Sequence, residues 1–264
     1  MNLVYKHEPT LFGIAAVISV IVWLVLIVGT IGIALVYVLL AFVFYLFVQS
    51  AFISALKGNG VKVTPSQYPD LDKSLMECCR RIGMEQPPEM YLLRTDFFNA
   101  LATKFLGRNF IVLFTDVVDA LADEPGGIDF YIGHELGHIH RKHLTWAPFL
   151  FPALVLPVLG AAYRRSQEYT WDRYGTACCT GEPQIQAALA AIAAGDTRWK
   201  TLDTQNYLAQ IPETRRFWMS FHELTSDYPW LTKRMASALA LFRRQEIKHP
   251  RRHLFAGGVS LFVA

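Results

Sequence analysis

Charged residues are scarce. Asp, Glu, Lys and Arg make up 18% of the 264 residues, against about a quarter in ordinary soluble domains. Between Glu8 and Lys57 there are none. With 53% hydrophobic residues, that scarcity excludes an intrinsically disordered chain and argues against a purely soluble enzyme. A formal net charge of +3 is too small for the electrostatic footprint of a nucleic-acid binder, so no nucleic-acid partner is expected. Cysteine is sparse too, with two adjacent pairs, Cys78-Cys79 and Cys178-Cys179. Neighbouring cysteines bridge each other poorly. The expectation is therefore reduced thiols in a cytosolic compartment, not a secreted disulfide framework; a bridge between the two pairs is the alternative. The sequence holds no internal repeat and no low-complexity tract.

The charge-free run from Thr10 to Leu56 is 47 residues long. A secretory signal has an apolar region of about 7–15 residues, and one bilayer crossing needs about 20. The run is long enough for two crossings. Gly29, Thr30 and Gly32 sit near its middle, where a reversal would fall. The pattern predicts a transmembrane helical hairpin with helices near 11–28 and 33–53. Lys6 precedes it, Lys57, Lys62, Lys73, Arg80 and Arg81 follow it, and the turn carries no Lys or Arg. By the positive-inside rule both ends face the cytoplasm.

Beyond the hairpin, 57–69 reads as loop, with Gly58, Gly60, Pro65 and Pro69 as breakers. Helical spacing follows over 71–82. Strands are expected at Met90–Leu93 and Asn109–Phe114, with Phe98–Thr103 between them. A helix is expected from Pro125-Gly126-Gly127 to about His143. A Pro-rich apolar insert, 144–163, then leads into further helices. The organisation predicted is α+β, mainly helical: a membrane hairpin over 1–56, then a cytoplasmic domain over 57–264 with a small β-sheet. The last 52 residues carry a net +5. Their cluster Arg243, Arg244, Lys248, Arg251 and Arg252 suits anionic lipid headgroups or a solvated helix face.

The informative words are His134-Glu135-Leu136-Gly137-His138. On a helix, positions i and i+4 lie about 40° apart and one turn along. His134 and His138 can then share one metal ion, with Glu135 beside them to take a proton from water. A catalytic zinc needs a third protein ligand and an open position. The best candidate is Glu168, with a partnership to Arg164 or Arg165 as the alternative. Asp172 lies four residues on and can accept the free ring N–H of a ligating histidine. Gly133 and Gly137 weaken the helix by about 1 kcal/mol each against alanine, which points to close approach of a neighbouring backbone. His140 and His143 are offset from the face of His138 and read as interfacial or solvated, and His222 and Glu223 as surface residues.

Through these residues the sequence resembles the HtpX-type membrane zinc metallopeptidases, relatives of the type I CAAX prenyl proteases. The resemblance spans the apolar hairpin, the Asn-Ala segment, the second strand, the HExxH helix, the Glu-x-x-x-Asp helix and a late Pro motif before an arginine. It implies a zincin-like catalytic domain with its sheet beside the HExxH helix, and one Zn2+ per chain. It also implies a substrate cleft bordered by Asn99 and Ala100, where an extended peptide pairs with a strand edge. The late motif, usually His-Pro, is here Tyr228-Pro229, with Arg234 downstream. Tyr228 stands where the family has histidine, and Trp171 where a small residue is usual before the aspartate. On this resemblance Tyr228 is the candidate oxyanion donor and Arg234 its orienting or charge-stabilising support.

The function expected is zinc-dependent hydrolysis of peptide bonds, with protein or peptide substrates and a role in protein quality control. The place expected is the cell (inner) membrane, multi-pass, with the catalytic domain facing the cytoplasm and the lipid bilayer as a partner. The alternative is a catalytically weak pseudo-protease or membrane-bound scaffold of the same fold.

Overall fold

The computed structural model of the protein describes residues 2–94, 100–246 and 250–263; Asn99 and Lys248 lie outside them. The fold is α+β and mainly helical, with a small mixed sheet. Two apolar helices come first, α1 (Glu8–Gly29) and α2 (Ile33–Asn59). They reverse at Thr30–Gly32, where Gly32 takes φ +82°, a conformation open to glycine. Both are long and apolar enough to cross a membrane, with mean hydropathies of 3.0 and 2.3. Almost none of either span is covered by protein, which sets them apart from the buried core helices of soluble proteins.

The segment expected as loop after residue 57 is shorter than the breakers suggest. α2 continues to Asn59, and β1 (Val61–Lys62) follows at once. Next come α3 (Pro69–Ile82), β2 (Glu89–Leu93), β3 (Ala100–Phe105) and β4 (Arg108–Phe114). The sheet order is β1-β2-β4-β3, with β2 and β4 parallel and the outer pairs antiparallel. β3 falls in a stretch that sequence periodicity did not mark as a strand. It is fixed by a two-residue turn, Leu106-Gly107, in which both residues have positive φ.

Residues 110–114 of β4 are all buried, which explains the unbroken apolar run. Ile111 and Leu113 face the main core, while Phe110, Val112 and Phe114 face Ile53 and Leu56 at the end of α2. The two-residue period of a strand puts alternate side chains on opposite faces. The second apolar helix thus covers the outer face of the sheet.

After α4 (Thr115–Ala120), α5 (Gly127–His140) carries the HExxH sequence. It ends three residues before the expected limit, at Arg141 and the positive-φ Lys142. α6 (His143–Leu154) contains Pro148 and Pro152, and the chain reverses into α7 (Pro157–Cys178). The insert 144–163 is therefore a helical hairpin. It leans on α1: Trp23 Nε1 donates to the Phe149 carbonyl at 2.9 Å, and Ser19 Oγ to that of Leu150 at 3.2 Å. The chain closes with α8 (Glu182–Arg198), α9 (Thr204–Leu208), α10 (Phe217–Thr225), α11 (Leu231–Phe242) and the apolar α12 (Leu254–Val263). The four cysteines are buried and free.

α5 and α7 cross at a pair of glycines. A Cβ on Gly133 would lie 2.8 Å from the Tyr174 carbonyl oxygen and 2.9 Å from Gly175 Cα. A Cβ on Gly175 would lie 2.7 Å from the Phe130 carbonyl oxygen. Helix propensity alone predicts that Gly133→Ala gains about 1 kcal/mol. The crossing predicts the opposite sign, a loss of about 1–3 kcal/mol from overpacking against backbone. Chemical denaturation of the full chain in detergent reads the difference. Gly58→Ala, where a Cβ meets nothing within 4 Å, serves as the control and should not destabilise.

Candidate active site

The glycine crossing sets two helix faces against each other. α5 presents His134, Glu135 and His138, and α7 presents Glu168 and Asp172; all but Asp172 line one cavity of about 480 Å³. One ligand atom from each of His134, Glu135 and His138 lies within 4.8 Å of the others. Glu168 borders the same cavity but is not part of that tight group. It pairs with neither Arg164, which binds Asp227, nor Arg165, which donates to the carbonyls of Leu224 and Ser226. Its partner is Arg234, whose Nη1 lies 3.0 Å from Glu168 Oε2.

Asp172 joins the two sides. Its Oδ1 lies 3.1 Å from His134 Nδ1. As Asp172 is ionised, that nitrogen carries the proton, which leaves Nε2 as the electron-pair donor. Arg234 grips the same carboxylate through Nε at 2.8 Å and Nη2 at 2.7 Å, the bidentate geometry a guanidinium favours. Burial opposes the charged form of Asp172, but Arg234 and His134 outweigh it and bring its pKa to about 2. Burial works against protonation of His134, yet the Asp172 hydrogen bond and the surrounding carboxylates raise its pKa. His138 goes the other way. Burial first, then the positive charges around it, holds it well below the usual imidazole value, hence neutral.

The cavity fits a divalent cation. Three buried carboxylates, Glu135, Glu168 and Asp172, surround the buried guanidinium of Arg234. Glu135 Oε2 is buried without a hydrogen-bond partner, which costs free energy unless something positive meets it; Glu168 Oε2, also without a hydrogen bond, has the ion-pair contact with Arg234 alone. Burial, reinforced by the Glu168 charge, pushes Glu135 up to about 7, while a backbone hydrogen bond from Ala102 works the other way. Ala102 belongs to β3, so the sheet reaches the HExxH helix here. Ala100, Leu101 and Ala102 form one wall of the cavity. β3 is the edge strand of the sheet on this side. Ala100, named from the sequence, starts that strand, whereas Asn99 lies outside the described residues. Tyr228 and Pro229 form the opposite lip; Tyr228 is 62% exposed.

Two residues read from sequence as solvated are buried. Glu223 is fully covered and pairs with Lys233 at 2.7 Å and Arg252 at 2.9 Å. His143 is buried between Glu8 and Trp171. Helical offset from His138 could not place it, because Lys142 breaks the helix and turns His143 back under the site. Glu8 was also missed. The signal was its position as the last charge before the apolar run, where it is 1% exposed and needs partners.

Helix-borne H-E-x-x-H, with buried carboxylates converging on it from a second helix, defines the class: a metallopeptidase site. Residues 65–150, from before α3 to the middle of α6, match the family model described as peptidase family M48, which supports a metallopeptidase. The matched stretch holds β2, β3, β4 and all of α5, but neither Glu168, Asp172 nor Arg234. No curated protein and no solved structure matches the chain.

On the expectation that Glu168 holds a metal ion and Asp172 orients His134, metal content separates the two. Glu168→Ala should strip most of the metal, since two histidines alone hold it weakly. Asp172→Ala should weaken binding only 10–100-fold, the usual cost of losing a partner that orients a ligand. Elemental analysis after dialysis against a graded chelator series measures both. Retention by the Glu168 variant with loss by the Asp172 variant would reverse the roles.

Proposed function

We propose that the protein is a membrane-anchored zinc metalloendopeptidase in which His134, His138 and Glu168 hold one Zn2+ and Glu135 is the general base. The observation that carries this reading is convergence in one cavity: the HExxH face, a buried carboxylate from a second helix with an oxygen that makes no hydrogen bond, and a strand edge beside them. A zinc ion bound there supplies an activated water and a Lewis acid for the scissile carbonyl.

The chain's own groups supply the rest. Glu135 takes the proton of the attacking water and passes it to the leaving amine. Asp172 fixes the tautomer of His134, and Arg234 fixes Asp172. An extended peptide adds to the edge of β3, with Asn99 and Ala100 bordering the cleft, so that main-chain hydrogen bonds place the scissile bond. Tyr228, on the opposite lip, gives a phenolic hydrogen bond to the oxyanion.

Residues 1–56 form the membrane hairpin in this reading, and 57–264 the catalytic domain on the cytoplasmic side, where the flanking Lys and Arg residues lie. The fit is to protein or peptide substrates brought to the bilayer, as in quality control of membrane proteins. Arg244 and Arg251, both exposed, suit anionic headgroups. A pseudo-protease of the same fold is the rival reading. It is favoured by one observation, that a tyrosine stands where the family has its late histidine.

Purified, zinc-loaded protein incubated with unfolded casein tests the reading. Cleavage should be abolished by Glu135→Gln while zinc content stays that of the wild type. Absence of cleavage by the wild type, or undiminished cleavage by the variant, would sink the enzymatic assignment. For Tyr228→Phe the expected effect is a kcat lower by about 10²–10³, the usual cost of one oxyanion donor, with zinc content unchanged. An unaltered kcat would take Tyr228 out of the mechanism.

A further inference from the structure

The two histidines of the HExxH sequence are oriented by different means. His134 has Asp172. Among the described residues no side chain hydrogen-bonds the ring of His138. Its ring lies instead flat against the indole of Trp171, with centroids 3.4 Å apart and planes inclined by 21°. Gly137 permits this, since a Cβ there would come within 3.2 Å of Trp171 Cδ1.

The indole is itself tethered. Trp171 Nε1 donates to His143 Nδ1 at 2.8 Å. An indole nitrogen can only donate, so His143 Nδ1 is the acceptor and its proton sits on Nε2. That N–H points to Glu8 Oε1 at 3.0 Å. The Glu8 carboxylate is fixed in turn by Arg141 Nη2 at 3.0 Å and by the Thr170 hydroxyl. Every member from Trp171 to Glu8 is at least nine-tenths buried. Glu8 is also the first residue of α1. An unbroken chain of directional contacts therefore runs from the root of the apolar hairpin to a metal-site histidine.

We infer that Trp171 is the positioning residue for His138, held by His143 and Glu8, so that the base of the first apolar helix sets the geometry of the metal site. The inference rests on the metal-site reading above and adds to it residues that bind neither metal nor substrate. Trp171 does for His138, by stacking and tethering, what Asp172 does for His134 by a hydrogen bond.

The test is zinc affinity of the full-length protein in detergent, by competition with a chromophoric chelator, together with the visible spectrum of the Co2+-substituted protein. His143→Ala frees the indole, and Trp171→Phe keeps a ring to stack but removes the tether. Each should weaken zinc binding about 10–100-fold, the range for partners that orient a ligand, and shift the cobalt bands. His143→Gln, which keeps a carbonyl acceptor and an amide donor, should restore most of the affinity. The double variant should bind about as well as the worse single one, because both changes cut the same chain. Wild-type affinity and an unchanged cobalt spectrum in folded His143→Ala and Trp171→Phe would overturn the inference, as would strictly additive losses. A wild-type protein that takes up neither Zn2+ nor Co2+ would fail the site reading itself, a distinguishable result.

Discussion

The contact between α5 and α7 is set by backbone against backbone, at Gly133 and Gly175. With any side chain there the helices would stand further apart, and the faces bearing His134, His138, Glu168 and Asp172 would no longer share a cavity. The loss of helix propensity at each glycine, about 1 kcal/mol, is thus offset by the packing it permits. The neighbouring elements follow the crossing. β3 abuts α5 through Ala102, α11 delivers Arg234 to both carboxylates of α7, and Trp171 fills the space beside Gly137.

Electrostatics then divides the acids between tasks. Asp172 and Glu168 both face Arg234, yet only Asp172 gains hydrogen bonds from it and keeps a strongly depressed pKa. Glu168 has the ion-pair contact alone and a pKa raised chiefly by burial. A carboxylate with saturated partners orients, and one with an unsatisfied buried oxygen is available to a cation. The same guanidinium faces both, so that one cation stands among three acids and the cavity stays electron-rich.

Much of this was legible in the sequence, for identifiable reasons. The hairpin showed because apolar length is a one-dimensional property, and its turn because glycine marks a reversal. The clustering of His134, Glu135, His138 and Glu168 at one cavity was readable because i,i+4 spacing survives into three dimensions whenever a helix is unbroken. Other features were hidden where local rules stop. β3 has no strong alternation and is held by its pairing with β4 and a positive-φ turn. His143 was misplaced because Lys142 interrupts the helical phase, and Glu223 because its cations come from α11 and from the segment before α12. Long-range partners leave no mark on the local pattern.

The docking of α2 on the sheet bears on how the chain is assembled. Ile53 and Leu56 cover one face of Tyr91, Phe110, Val112 and Phe114, and Glu8 supplies the acid that His143 and Arg141 bury against. Both covering groups lie N-terminal to the strands and side chains they cover, and so leave the ribosome before them. On the proposed reading, in which the hairpin is inserted in the bilayer, it offers a ready template at the water boundary, onto which the later strands condense. A water-soluble fragment cut after residue 59 would have neither. It would expose an aromatic sheet face and leave His143 and Arg141 without their acid partner, and so invite self-association. The apolar hairpin thus completes the interior of the domain that follows it.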